Sequence, residues 1–108
     1  MNLWYKDALE LAAAIREREI SAVETLDLYL DRIDRFNPEL NAIVVFDTEA
    51  AREAACAAGA ALTAGHTTAP LHGVPMTVKK SFDLAGHPST FGRPDRRNQK
   101  ADRDALAI

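Results

Sequence analysis

Two short apolar segments on either side of a long alanine-rich stretch constrain the fold of this 108-residue chain most strongly. Residues 41–46 are rich in β-branched side chains, which predicts a buried strand over 42–46. A second strand is predicted over 75–79, with its proline near the start, where a strand tolerates it. A strand, a helix and a strand in this order favour a parallel pair joined by a right-handed crossover. The expected class is therefore α/β.

Two helices are predicted before the first strand, near 7–18 and 22–35. Ser21 and Glu24 have the spacing of a capping box, in which each side chain accepts a hydrogen bond from the other residue's backbone N–H. Asn37-Pro38 is expected to end the second helix, because proline disfavours helical geometry in the residue before it. Apolar residues at helical spacing form the expected buried stripes: Ala8, Leu11, Ala12 and Ile15, then Val23, Leu26, Leu30 and Ile33.

The alanine-rich stretch predicts a third helix near 48–64, capped by Asp47 and followed by Gly65. Residues 66–70 form a polar linker. The chain has one cysteine, Cys56, which excludes an intrachain disulfide, and its place in the helix predicts a small packed side chain. Alanine buries little area, so we expect a thin core and marginal stability for the chain alone.

Composition excludes several classes of function. A net charge of −3 and a pI near 5.5 give no electrostatic reason to expect nucleic acid or an anionic membrane as a partner. Aspartates interrupt the basic residues of 93–103, which is typical of a solvated loop. The three histidines lack metal-ligand spacing, so no metal site is expected. We expect no signal peptide, no membrane span and a cytoplasmic location.

The segment 71–86 holds the residues best placed for chemistry. It reads as a glycine-proline turn, a short strand, and Lys79 at the carboxyl end of that strand. Functional groups collect at such ends in open α/β sheets. A lysine can act as a general base where burial lowers its pKa. Spacing alone leaves two interpretations open, a catalytic base and a solvated strand-end lysine.

The motifs of this segment resemble the lysine segment of the amidase signature family. They are Leu-x-Gly-Val-Pro from Leu71, Val-Lys at 78–79, Asp-Leu-Ala-Gly at 83–86 and Ser-Thr-Phe-Gly at 89–92. The helices upstream also resemble the family's N-terminal helices, so the likeness extends from about residue 8 to 92. It implies that 1–108 is a partial amidase domain, the N-terminal fragment of a mixed-sheet domain with helices on both faces.

The resemblance also implies a reaction. Members of the family hydrolyse C–N amide bonds with a serine nucleophile, a second serine in a cis peptide arrangement, and a lysine that matches Lys79. Both serines belong to a glycine- and serine-rich loop, and these 108 residues contain no such loop. The fragment alone is therefore expected to be inactive. The implied substrate is a small-molecule amide, with no cofactor and with a possible homodimer in the full-length protein.

Two residues depart from the family pattern. Lys80 stands where the family commonly has an acidic residue, and Arg93 where small residues are frequent. Ser81 would share a strand face with Lys79, so a serine–lysine dyad within the chain is a further interpretation. An amidotransferase subunit that supplies ammonia for charged-tRNA amidation, and a truncated fragment that only binds other chains, also remain open.

Overall fold

The computed structural model describes residues 2–66 and 69–108, so part of the predicted linker over 66–70 lies outside the described residues. The chain forms two compact units, one ending at Pro75 and the other running from Met76 to Ile108. The first unit contains a 3₁₀ turn and three helices: Leu3–Tyr5, then α1 (Ala8–Arg16), α2 (Ala22–Leu40) and α3 (Thr48–Thr63). No helix in the described ranges is long and apolar enough to span a membrane.

Capping boxes start the first two helices. The Ser21 hydroxyl accepts a bond of 3.0 Å from the Glu24 N–H, and the Glu24 carboxylate accepts one of 2.9 Å from the Ser21 N–H, as predicted. Asp7 and Glu10 form the same arrangement at 2.8 Å before α1. That second box has the same acceptor spacing in the sequence and could have been predicted from it. Each box satisfies backbone donors that a helix start leaves without partners.

Left-handed residues end α1 and α3. After α1, Arg18 takes a φ of 62°, and the N–H groups of Arg18 and Glu19 bond the carbonyls of Ile15 and Ala14. This pattern is a Schellman motif, and it stops the helix two residues before the predicted end at 18. Gly65, with a φ of 78°, closes α3 in the same way and confirms the predicted stop.

The predicted end of α2 at Asn37-Pro38 is wrong, since the helix continues to Leu40. Proline lacks one N–H but its φ fits a helix, and here only the last turn remains to be formed. The helix ends at Asn41, whose φ of 49° is left-handed and whose N–H bonds the Asn37 carbonyl at 2.7 Å. The Asn37 amide then exchanges two bonds of 2.9 Å with the backbone of Ile43, which fixes the path of the chain beyond the helix.

The two predicted strands, 42–46 and 75–79, are absent from the described residues, and the α/β class is corrected to an all-helical arrangement there. A strand requires a ladder of hydrogen bonds to a neighbour, and these two segments do not pair with each other. Nor is the first segment buried as predicted: Val44 is 58% exposed and Phe46 50%. β-branched composition identified a segment outside the helices, but it could not supply a partner strand.

The core of the first unit is small. It centres on Ile15, Ala22, Leu26 and Ala55, with α2 packed on α3. Half of the buried apolar residues in the described part of the chain are alanines, in agreement with the thin core expected from composition. Cys56 is exposed on α3, so the prediction that its side chain is packed is wrong. Ala55, the adjacent residue, occupies the buried position instead.

Aromatic contacts hold the N-terminal turn on α2. The Trp4 and Tyr29 rings meet edge to face with centroids 5.5 Å apart. The Arg32 guanidinium lies 4.7 Å from the Trp4 ring centroid and 4.9 Å from that of Phe36. Together with the fully buried Leu3, these contacts order the chain ahead of α1.

The second unit consists mostly of loop, as the sequence predicted for 88–104. It contains one 3₁₀ turn, Pro94–Arg96, and two isolated β-bridges, Ala85 with Ala101 and Pro88 with Lys100. Backbone and side-chain hydrogen bonds within the unit connect its loops, and they hold the residues around Lys79.

Candidate active site

The segment that leads to Lys79 begins at Gly73, which lies close to the core of the first unit. Gly73 has a φ of 81°, and a Cβ placed on it would lie 3.2 Å from both the Ala22 Cβ and the Ile15 Cγ2. One residue earlier, a ring nitrogen of His72, Nε2, lies 2.9 Å from the Ala58 carbonyl oxygen. Any side chain here would require Ala22 and Ile15 to shift by a few tenths of an ångström and would adopt a strained φ, so glycine suits this close approach to the core.

Lys79 lies in the second unit, at the first position of a turn rather than at the end of a strand. The Phe82 N–H donates to the Lys79 carbonyl at 3.0 Å, which closes the turn 79–82. The Lys79 side chain is exposed, and its ammonium has no hydrogen-bond or ion-pair partner among the described residues. Its backbone is thus fixed while its amine is free to meet another group.

Ser81 does not form the dyad that was considered from the sequence. A shared face requires a continuing strand, and the chain turns at this point instead. No hydrogen bond links Ser81 to Lys79 in the part of the chain that the structure describes. Ser81 instead lines a cavity within the second unit.

Lys80 makes two hydrogen bonds that the sequence did not predict. Its ammonium donates to the Pro88 carbonyl at 2.6 Å, and its own carbonyl accepts a bond of 3.2 Å from the Phe91 N–H. A strand that continued through 79–80 would place Lys80 on the opposite face from Lys79, in solvent. The chain turns here instead, and Lys80 is half-buried with its ammonium occupied.

A cavity of about 400 Å³ opens beside this turn within the second unit. Its lining combines two cationic, one acidic, two hydroxyl and two aromatic side chains with an alanine: Lys80, Arg96, Asp83, Ser81, Ser89, Phe82, Phe91 and Ala105. Arg93, the second departure from the family pattern, lies outside it and pairs with Asp95 at 2.6 Å in the exposed loop. The described residues hold no group of three or more side chains suited to a metal ion.

Comparison with known proteins identifies the family. The model of the Amidase family matches residues 24–108, most of the chain. The chain belongs to the amidase signature family. Its similarity to the indoleacetamide hydrolase of Bradyrhizobium diazoefficiens is 43% identity over 98% of the chain. It is also 42% identical to a glutamyl-tRNA(Gln) amidotransferase subunit of Acidothermus cellulolyticus, over 84% of the chain.

A solved amidase shows that the fold is shared as well. The crystal structure of a bacterial aryl acylamidase of the amidase signature family superposes with a TM-score of 0.82 and 29% identity over 96% of this chain. The matched region is 21% of that amidase, 20% of the indoleacetamide hydrolase and 18% of the amidotransferase subunit. The chain thus corresponds to about a fifth of an amidase, in its N-terminal region.

Proposed function

We propose that this chain is the lysine-bearing segment of an amidase that hydrolyses C–N amide bonds by a serine–cis-serine–lysine mechanism. In this proposal Lys79 is the base, and it accepts through the cis serine the proton that leaves the nucleophilic serine. The observation that carries the proposal is the contrast between two adjacent lysines. The Lys79 ammonium is exposed and without a described partner, whereas that of Lys80 is bonded to a carbonyl.

The chemistry requires more than these residues supply. An ordinary lysine has a pKa of about 10.4 and is almost wholly protonated at pH 7, so a lysine base needs an environment that disfavours the charge. Desolvation in a closed pocket is the usual cause of such a change. The side chain of Lys79 is exposed, so that enclosure has to come from further residues. The serines and the oxyanion-binding N–H groups are also absent from the 108 residues of the sequence.

The first prediction follows directly: the 108-residue chain alone hydrolyses neither amides nor esters above the uncatalysed rate. The assay compares the purified chain with Lys79→Ala and Ser81→Ala variants. Turnover that both substitutions abolish would contradict the proposal and restore the Ser81–Lys79 dyad. Equal turnover in all three samples would identify a contaminating hydrolase.

A chimera tests the positive half of the proposal. The chain replaces the matching N-terminal fifth of the Bradyrhizobium indoleacetamide hydrolase, to which it is 43% identical. We expect amide hydrolysis from the chimera, and a loss of at least about a thousandfold in kcat from Lys79→Ala, as for removal of a general base in a coupled triad. A Lys79→Ala chimera as active as its parent would refute the role given to Lys79.

An amidotransferase subunit that supplies ammonia for charged-tRNA amidation is the second candidate, and the 42% identity to such a protein supports it. A fragment that only binds other chains is the third. Sequencing the DNA beyond the codon for Ile108 separates them. A reading frame that continues into a glycine- and serine-rich loop supports an enzyme, and an immediate stop codon supports the binding fragment. The residues encoded further downstream then distinguish a hydrolase from an amidotransferase.

A further inference from the structure

We propose that Lys80 is a positioning residue, which fastens the loop 88–91 to the turn 79–82 and thereby sets the orientation of Lys79. The part that concerns Lys79 rests on the function proposed above. The hydrogen bonds that fasten the loop to the turn do not depend on that function, because they are contacts described within the second unit. We call these two hydrogen bonds of Lys80 the Lys80 clamp.

The clamp joins one residue to both ends of a short loop. The Lys80 ammonium holds the Pro88 carbonyl at 2.6 Å, and the Lys80 carbonyl holds the Phe91 N–H at 3.2 Å. A hydrogen bond from a charged donor is about twice as strong as one between neutral groups. Because Lys80 is half-buried, water competes for its ammonium less than at an exposed site. Ser89 adds a third link, from its hydroxyl to the Phe82 carbonyl at 3.3 Å.

The far end of the loop is a tight turn with left-handed backbone. Phe91 has a φ of 46°, in the left-handed region that a residue with a bulky side chain rarely adopts. Its side chain is 66% exposed, so packing contributes little to holding it there. The Arg93 N–H donates to the Thr90 carbonyl at 2.8 Å and closes a turn around Phe91 and Gly92. The bond from the Phe91 N–H to the Lys80 carbonyl connects that turn to residues 79–82. Loss of the clamp therefore allows the loop 88–91 to move away from the turn 79–82.

The effect on Lys79 follows from the shared peptide group. Lys80 is immobilised at its carbonyl and at its ammonium, and Phe82 holds the Lys79 carbonyl at 3.0 Å. The peptide plane between the two lysines is then fixed on both sides, and with it the direction in which the Lys79 Cα–Cβ bond leaves the backbone. An ionised acidic residue at position 80 has no proton to donate to the Pro88 carbonyl. The clamp is thus a consequence of the lysine that this chain has at that position.

Hydrogen exchange of the Phe91 amide in the intact 108-residue chain tests the clamp directly. Lys80→Met removes the donor but keeps an unbranched side chain, and we expect the Phe91 amide to exchange at least about tenfold faster. Lys80→Arg keeps a charged donor and should restore slow exchange to within about threefold of the parent. Lys79→Met is the matched control, which removes the neighbouring ammonium and should leave the exchange rate unchanged.

Two results would overturn the clamp: unchanged Phe91 exchange in Lys80→Met, or equal acceleration in Lys80→Met and Lys80→Arg. A general loss of folding would accelerate exchange throughout α2 as well, so the amides of α2 are recorded in the same spectra. Acceleration confined to the second unit supports the clamp. Acceleration in both units to the same extent counts against it.

The amidase chimera described above tests the positioning of Lys79. We expect Lys80→Met to lower kcat by about tenfold or more with KM changed less than twofold, and Lys80→Arg to recover most of the loss. A KM effect without a kcat effect would overturn the positioning role. If the chimera has no activity that depends on Lys79, the proposed function fails, and the exchange experiment still decides whether the clamp exists.

Discussion

At the scale of single residues, Gly73 makes the strictest demand on the sequence. A methyl group there would meet Ala22 and Ile15 at 3.2 Å, and the φ of 81° is unfavourable for any residue with a Cβ. We expect Gly73→Ala to lower the free energy of unfolding by about 2–4 kcal/mol, the sum of backbone strain and overpacking. Denaturant titration followed by circular dichroism measures it.

Gly65→Ala is the matched control for that prediction. Gly65 has nearly the same φ, 78°, but no heavy atom lies within 4 Å of the position of its Cβ. Gly65→Ala should lower the free energy of unfolding only by the backbone strain, about 1–2 kcal/mol. Equal costs for the two substitutions would show that the contact of Gly73 with the core contributes nothing.

Arg18, unlike Gly73, occupies a left-handed position that would suit glycine better. It takes a φ of 62° in the Schellman motif after α1, where glycine is the preferred residue. Arg18→Gly should therefore stabilise the chain by about 0.5–1 kcal/mol, since relief of the left-handed strain exceeds the added entropy of the unfolded chain. An upward shift of the thermal midpoint checks the sign. A lower midpoint would mean that the arginine side chain stabilises the fold in a way its contacts do not reveal.

At the scale of helices, the capping box of α2 should contribute measurably to stability. Ser21→Ala removes the acceptor for the Glu24 N–H and should cost about 1 kcal/mol. The Ser21 backbone N–H, and then its hydroxyl, lower the pKa of Glu24 below its usual value by stabilising the ionised carboxylate. The Glu24 carboxylate therefore stabilises the fold fully above the pKa of an unfolded glutamate, about 4.3, and loses that effect as the pH falls through the lower folded value.

The pH dependence of stability distinguishes the contribution of the Glu24 carboxylate from the contributions of other groups. Glu24→Gln should destabilise the chain near pH 7, and the difference from the parent should shrink as the pH falls below about 4. Glu53→Gln, on α3, is the control, since the Glu53 side chain has no partner among the described contacts. A parent–Glu24→Gln difference that stays constant from pH 7 to about pH 2.5 would contradict the assignment.

Local signals in the sequence predicted the helices, but they did not predict which distant segments pair or bond with each other. Apolar spacing and the Ser21–Glu24 box located α2, because both depend on residues three or four positions apart. Strand pairing depends on chain far from 42–46, and no ladder partner is present among the described residues. The Lys80 clamp joins residues eight positions apart across a loop without periodicity, so spacing gave no sign of it. Lys79 was identified by its motif, and its role remains a prediction.

At the scale of the whole molecule, the two units should differ in stability. The first contains three helices around an apolar core, whereas the second is mostly loop connected by hydrogen bonds. Backbone amides that open without exposing much apolar surface exchange quickly. We expect amides after Met76 to exchange at least about tenfold faster than those in the middle of α2. Equal protection in both units would show a single cooperative structure.

The exposure of Cys56 allows the unfolding of the first unit to be followed by energy transfer from Trp4. The chain has one tryptophan and one cysteine, and Trp4 and Cys56 both belong to the first unit. With excitation at a wavelength that tyrosine does not absorb, a dansyl-type acceptor attached to the exposed thiol receives energy from that tryptophan alone, with no engineered residue. The transfer efficiency then follows the unfolding of the first unit, while loss of structure after Met76 leaves it unaltered. One labelled sample can thus follow the three-helix unit separately from the lysine-bearing loops.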